Sequence, residues 1–134
     1  MVRAIVARLV GLFRREHQLV EAWSAVVLTG WGVQNITDGN DLRYIGAYRM
    51  IAQFVPEPAL EIAAIAMGAF QAVALLRQNH KGRGAAAFMA CAAYSLFLIS
   101  FFVSPDITPP GMMFCAGWVG VNAVAVARLA RGMD

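Results

Sequence analysis

The chain has 134 residues, 60 % of them hydrophobic and 14 % charged, with a formal net charge of +3 and a mean hydropathy of +0.60. A soluble chain of one-domain length carries about 25 % charged residues, and here the charges also cluster, leaving four long intervals almost without them. That excludes an ordinary soluble domain, and because the positive residues segregate along the chain instead of forming one patch, the net charge does not mark a nucleic-acid binder.

Met1–His17 comes first. On a helical wheel Arg3, Arg8, Arg14 and Arg15 share one sector, opposite Val2, Ile5, Val6, Leu9, Leu12 and Phe13. Such a basic amphipathic helix lies in the membrane interface with its arginines towards anionic headgroups. It superficially resembles the start of a signal peptide, but the apolar run that follows has no A-x-A-like cleavage site before Gln34, so the segment is expected to be retained.

The first span is expected at Leu19–Ile36, with Trp23 and Trp31 near its two ends as aromatic belts would place them. Glu21 lies in its first turn, where headgroup water and the helix dipole both favour a carboxylate. Gly30 and Gly32 permit a close helix approach or a weak kink. Thr37–Asp41 is turn chemistry. Leu42–Val55 is too short and too polar to span, and reads as an interfacial helix on the outer face, stopped by Pro56 and Pro58.

Ala59–Leu76 is the second span. Its 1.5 Å rise per residue carries it across a hydrocarbon core of about 30 Å. Glu57 and Glu61 mark one end, while Arg77, Lys81 and Arg83 mark the other, in a basic loop Gln78–Gly84. The third span, Ala85–Val103, offers Ala86, Ala90 and Ala93 for close packing. Ser104–Gly111 is a rigid outer turn, and the fourth span, Met112–Ala130, ends among Arg128 and Arg131.

Nine of the 11 Lys and Arg residues then fall on one side, with Arg43 and Arg49 alone on the other. Lys and Arg are retained in the cytoplasm, so both termini are expected there. The expected fold is all-α: a single polytopic membrane domain over residues 1–134, an up-down bundle of four transmembrane helices with an N-terminal amphipathic helix and a short outer interfacial helix.

Few residues offer chemistry. Cys91 and Cys115 sit in different spans, about 15 Å apart along the membrane normal on the helical rise, which argues against a disulfide. Without ligand-spaced partners they suit apolar packing. His17 and His80 stand in separate segments without the helical pairing of a metal site, and the KGRG loop lacks the spacing of a phosphate loop. No catalytic residue, cofactor or metal site is expected.

The polar candidates are Gln71, Asn122 and Glu61. Gln71 and Asn122 share a depth of about 15–18 Å from the outer ends of their spans, which suits a hydrogen bond across the bundle, a contact between subunits or the lining of a wet path. Glu61, three residues into its span, suits a pore mouth, a partner for Arg49, or a carboxylate solvated at the interface. No charged residue is expected near mid-membrane, which counts against active transport.

The stretches LTGWG (Leu28–Gly32), YRMIAQFVPE (Tyr48–Glu57) and ALLRQNHKGR (Ala74–Arg83), with a short outer turn before a last span ending in arginines, resemble a family of small four-helix inner-membrane proteins of tailed bacteriophages and prophages. Pro58 and Ala59 stand where that family is expected to carry a tryptophan. The resemblance implies a host inner-membrane location and no agreed catalytic residues. On this basis the function expected first is that of a holin-like, self-associating lysis protein; the alternatives are a non-enzymatic interaction protein that blocks superinfection or serves in the envelope, the virion or DNA passage, and an accessory subunit of a larger membrane complex. The partners expected are the lipid bilayer with its anionic headgroups and either further copies of the chain or another membrane protein.

Overall fold

The computed structural model describes residues 16–38, 48–56, 58–104 and 109–132. The basic helix expected at the N-terminus, with Arg3, Arg8, Arg14 and Arg15, lies outside them, as do most of the turn at 37–41, residues 42–47 of the outer helix, and 105–108 of the outer turn. The described residues form helices α1 (Glu16–Asp38), α2 (Arg49–Ala52), α3 (Ala59–Leu76), α4 (His80–Val103) and α5 (Pro109–Ala130), with no strand among them.

Each boundary has a local cause. Helix α3 consists mostly of Ala, Leu, Ile and Met, all good or adequate helix formers, and begins directly after Pro58. It ends in a Schellman closure: Asn79 N–H donates to Ala74 O, and Gln78 N–H to Leu75 O, each at 3.1 Å. Gln78 takes the left-handed position (φ 52°) that glycine usually fills. Its side chain compensates by donating to Leu75 O at 2.9 Å.

Asn79 then caps the next helix, its side chain accepting from Gly82 N–H at 3.2 Å. The basic segment expected as a loop is therefore largely helix, with α4 starting at His80 instead of Ala85. Helix α4 stops at Ser104, ahead of Pro105. Helix α5 opens on Pro109 and Pro110, where proline has no hydrogen bond to lose, and Gly132 follows its end in a left-handed conformation (φ 69°).

Helices α1 and α3 share a long contact, as do α4 and α5; α3 and α4 touch less, and the first and last, α1 and α5, least of the adjacent long helices around the ring. The α1–α3 pair is antiparallel and held by small residues. A Cβ on Gly68 would stand 2.3 Å from Thr29 Oγ1 and 2.7 Å from Ala25 O, and one on Gly32 would stand 2.6 Å from Glu61 O. Of the two glycines expected to allow close approach, Gly32 does so, while Gly30 faces open space. On α4, Ala86 and Ala90 are buried and Ala93 is half-buried.

Three helical stretches are long and apolar enough to cross a membrane: Ala59–Leu76, His80–Val103 and Met112–Ala130. The first expected span lies within α1, which carries Glu16, Gln18, Glu21, Gln34, Asn35 and Asp38 and is outside that group. Large apolar side chains point outwards, among them Trp23, Phe88, Phe102, Met113 and Phe114, while the interior is filled largely by alanine and polar groups. That distribution fits a membrane-embedded protein, where lipid is as good a neighbour for Phe as the core is.

Candidate functional site

Gln18, Glu21, Ser24 and Leu28 recur at helical spacing on one face of α1, and all four are buried. This face places a column of polar groups inside the protein. At its lower end Gln18 Nε2 donates to Gln78 Oε1 at 3.2 Å, joining α1 to the α3–α4 turn.

One turn further along, Glu21 meets Arg83. Arg83 Nη2 donates to Glu21 Oε1 at 2.7 Å, and Nε to Oε2 at 2.9 Å. The side chains are 2 % and 4 % exposed respectively. Two parallel charge-assisted bonds match the planar guanidinium to the planar carboxylate, the strongest geometry for such a pair. Helix α4 starts early enough to carry Arg83 inwards, so the expectation of a solvated loop arginine and a headgroup-facing Glu21 is corrected: the two neutralise each other within the protein. They also form part of the wall of a groove of about 500 Å³ between α1 and α5.

Above them the structure brings Gln71 and Asn122 together, with Gln71 Nε2 donating to Asn122 Oδ1 at 3.3 Å. Ser24 completes the cluster. Its hydroxyl donates to Asn122 Oδ1 at 3.2 Å, and Asn122 Nδ2 lies 3.1 Å from Ser24 Oγ and 2.9 Å from Trp118 O. Tyr94 donates from its hydroxyl to Ser24 O at 3.4 Å. Three helices are thus tied through one asparagine. Gln71 Oε1 has no hydrogen-bond partner among the described residues.

Glu61 sits apart, at the other end of α3. It is 3 % exposed, so a carboxylate solvated at the interface is not what the structure holds. Arg49 is exposed, and no Arg49–Glu61 ion pair occurs among the described residues. Glu61 Oε2 has no hydrogen-bond partner among them either. At the same end Trp31, Tyr48, Phe97 and Phe101 pack ring against ring, with centroids 5.0–5.9 Å apart. Trp31, expected in a lipid-facing belt, is therefore half-buried and packed against the core. Burial raises the Tyr48 phenol above its ordinary value of 10.0, with a hydrogen bond to Trp31 pulling the other way.

Cys91 and Cys115 are both free. Among the described residues no three His, Cys, Asp or Glu side chains gather as metal ligands. What the column does chemically is to satisfy polar groups in pairs across helices. Sequence reasoning found Gln71 and Asn122 but missed Ser24 and the Glu21–Arg83 pair. The i, i+3, i+6 spacing of Gln18, Glu21 and Ser24 was the available signal, since three polar residues on one stripe of an apolar helix need an interior partner. The chain matches no protein-family model, and no curated protein or solved structure matches it significantly.

Proposed function

We propose that the protein is a small inner-membrane protein of the phage and prophage type that acts by contact with another membrane component, as a superinfection-exclusion factor or as a part of the envelope, the virion or the DNA-passage apparatus. Its four long helices span the bilayer up and down as one bundle with both termini in the cytoplasm, and it works without catalysis. The observation that carries this reading is the buried Glu21–Arg83 fork. Stranding either charge in the interior costs about 3–5 kcal/mol, so the helices resist the rearrangement that lining a water-filled lesion demands.

A holin-like role is the second reading, favoured by the buried column of Gln18, Glu21, Ser24, Gln71 and Asn122. Turned outwards in an assembly of many copies, the same faces would be wettable. Inducible expression in a bacterium separates the two. The contact reading expects unchanged growth and membrane potential together with resistance to phage adsorption or DNA passage. Sudden depolarisation, with release of a co-expressed endolysin, would sink it in favour of the holin. Cysteines placed at Thr37 and Gly82 test the topology, which requires labelling from opposite sides of the membrane.

A further inference from the structure

We propose that the groove between α1 and α5 holds one anionic phospholipid of the surrounding bilayer, with its phosphate at Arg128 and an acyl chain running along Val124, Gly120 and Gly117. The groove exists because α1 and α5, neighbours in space though first and last in the chain, are the most weakly packed adjacent pair of long helices in the ring and because α5 turns glycines towards it. A Cβ on Gly117 or Gly120 would have no atom within 4 Å, in contrast to the crowded Gly32 and Gly68. The space of about 500 Å³ lies within the range of about 300–1,000 Å³ of small-molecule sites.

Its charge is asymmetric. Among the described residues, only Glu21, Arg83 and Arg128 line it with formal charges. Glu21 and Arg83 cancel each other through their fork, which leaves one net positive charge, on half-buried Arg128. Gly84 comes within 4.0 Å of Leu129 at the Cβ position, so Arg128 lies level with the start of α4 and with exposed Lys81. From Gly117 to Arg128 is eleven residues, about 16 Å on the helical rise. The groove is thus apolar along its length and cationic at one end, the complement of an anionic lipid.

A second copy fits less well. Related by an axis along the membrane normal, it would bring its own Arg128 to the same depth, setting like charges face to face. The inference rests on the membrane-spanning reading and is tested apart from it. Protein reconstituted into vesicles of phosphatidylglycerol and phosphatidylcholine in equal parts is re-extracted in mild detergent and weighed by native mass spectrometry. One bound phosphatidylglycerol is expected, retained over phosphatidylcholine by about fivefold, the factor that roughly one interfacial cation supplies. Arg128→Gln abolishes the preference, and Gly120→Leu, which fills the groove, abolishes retention of both lipids; circular dichroism checks that each variant keeps its helices. Equal retention of the two lipids by the unaltered chain, an unchanged preference in Arg128→Gln, or a lipid-free dimer that Gly120→Leu disrupts would each overturn the proposal. Recovery of the protein without detergent would overturn the membrane reading itself.

Discussion

Separating Glu21 from Arg83 tests most directly whether this interior holds the helices in place. The fork distances of 2.7 and 2.9 Å set the charge centres about 4 Å apart, where an effective dielectric near 20 gives about 4 kcal/mol of attraction. Removing both charges from water takes back much of that. The pair as a whole is therefore worth little, while either partner alone is costly. Glu21→Met or Arg83→Met singly is expected to lose about 3–5 kcal/mol, whereas the double replacement recovers most of the loss or exceeds the starting stability. Unfolding by titration of mild-detergent micelles with dodecyl sulfate, followed by far-ultraviolet circular dichroism, measures all four corners of the cycle. A coupling of about 2 kcal/mol or more is the expected outcome. Single variants that each cost less than about 1 kcal/mol and add simply would show a hydrated pair of the kind found on surfaces, and would remove the support for a rigid bundle.

The two kinds of glycine should part company in the same assay. Gly68→Ala drives a methyl into Thr29 and the Ala25 carbonyl and should cost about 1–3 kcal/mol, whereas Gly30→Ala, facing open space, should gain about 0.5–1 kcal/mol from helix propensity. Asn122→Leu strands both Ser24 and Gln71 and is expected to cost more than Gln71→Leu, which breaks one bond of about 0.6 kcal/mol and also removes the unpartnered Oε1; equal losses would mean that Asn122 is not the hub. The raised Tyr48 value gives a pH dependence with a definite sign. Below pH 10 the phenol is neutral in both states; above it the unfolded chain ionises first, so stability falls until pH passes the higher folded value. Tyr48→Phe should remove that component of the alkaline loss seen in thermal melts.

Much of the architecture was readable along the chain, because a bilayer demands long apolar runs and punctuates them with charge and proline. Ala59–Leu76 was expected at the bounds it has, and α5 differs only by the two prolines and the glycine that open it. Helix α4 starts earlier than its pattern suggests because Gln78–Gly84 reads as turn chemistry; the Asn79 cap converts Lys81, Gly82 and Arg83 into a first helical turn. That shift of a few residues also hid the ion pair. With Arg83 in a loop and Glu21 at an interface, each charge had water at hand and neither called for the other across 62 positions. Gln71 and Asn122 were easier to find, since both stand deep in apolar runs where depth alone matches them. Ser24 went unnoticed because a serine can satisfy itself on its own helix. Glu61 stands out in the sequence as a carboxylate within an apolar run, yet its burial depends on how closely Gly32 lets α1 approach, which no local pattern reports.

The division between small-residue packing and polar pairing also has a temporal side. Helices α1 and α3 meet through Gly32, Ala25, Thr29 and Gly68 and need nothing from the C-terminal half to do so. Until α4 and α5 emerge from synthesis, however, that first hairpin carries Glu21, Ser24 and Gln71 with no Arg83 or Asn122 to receive them. If all four long helices span the bilayer as proposed above, a half-made chain is marked by exposed polar groups in lipid, and the arrival of the second hairpin erases the mark. Completion of the chain becomes a condition that the bilayer itself can sense, so truncated products should be the ones that membrane proteases remove.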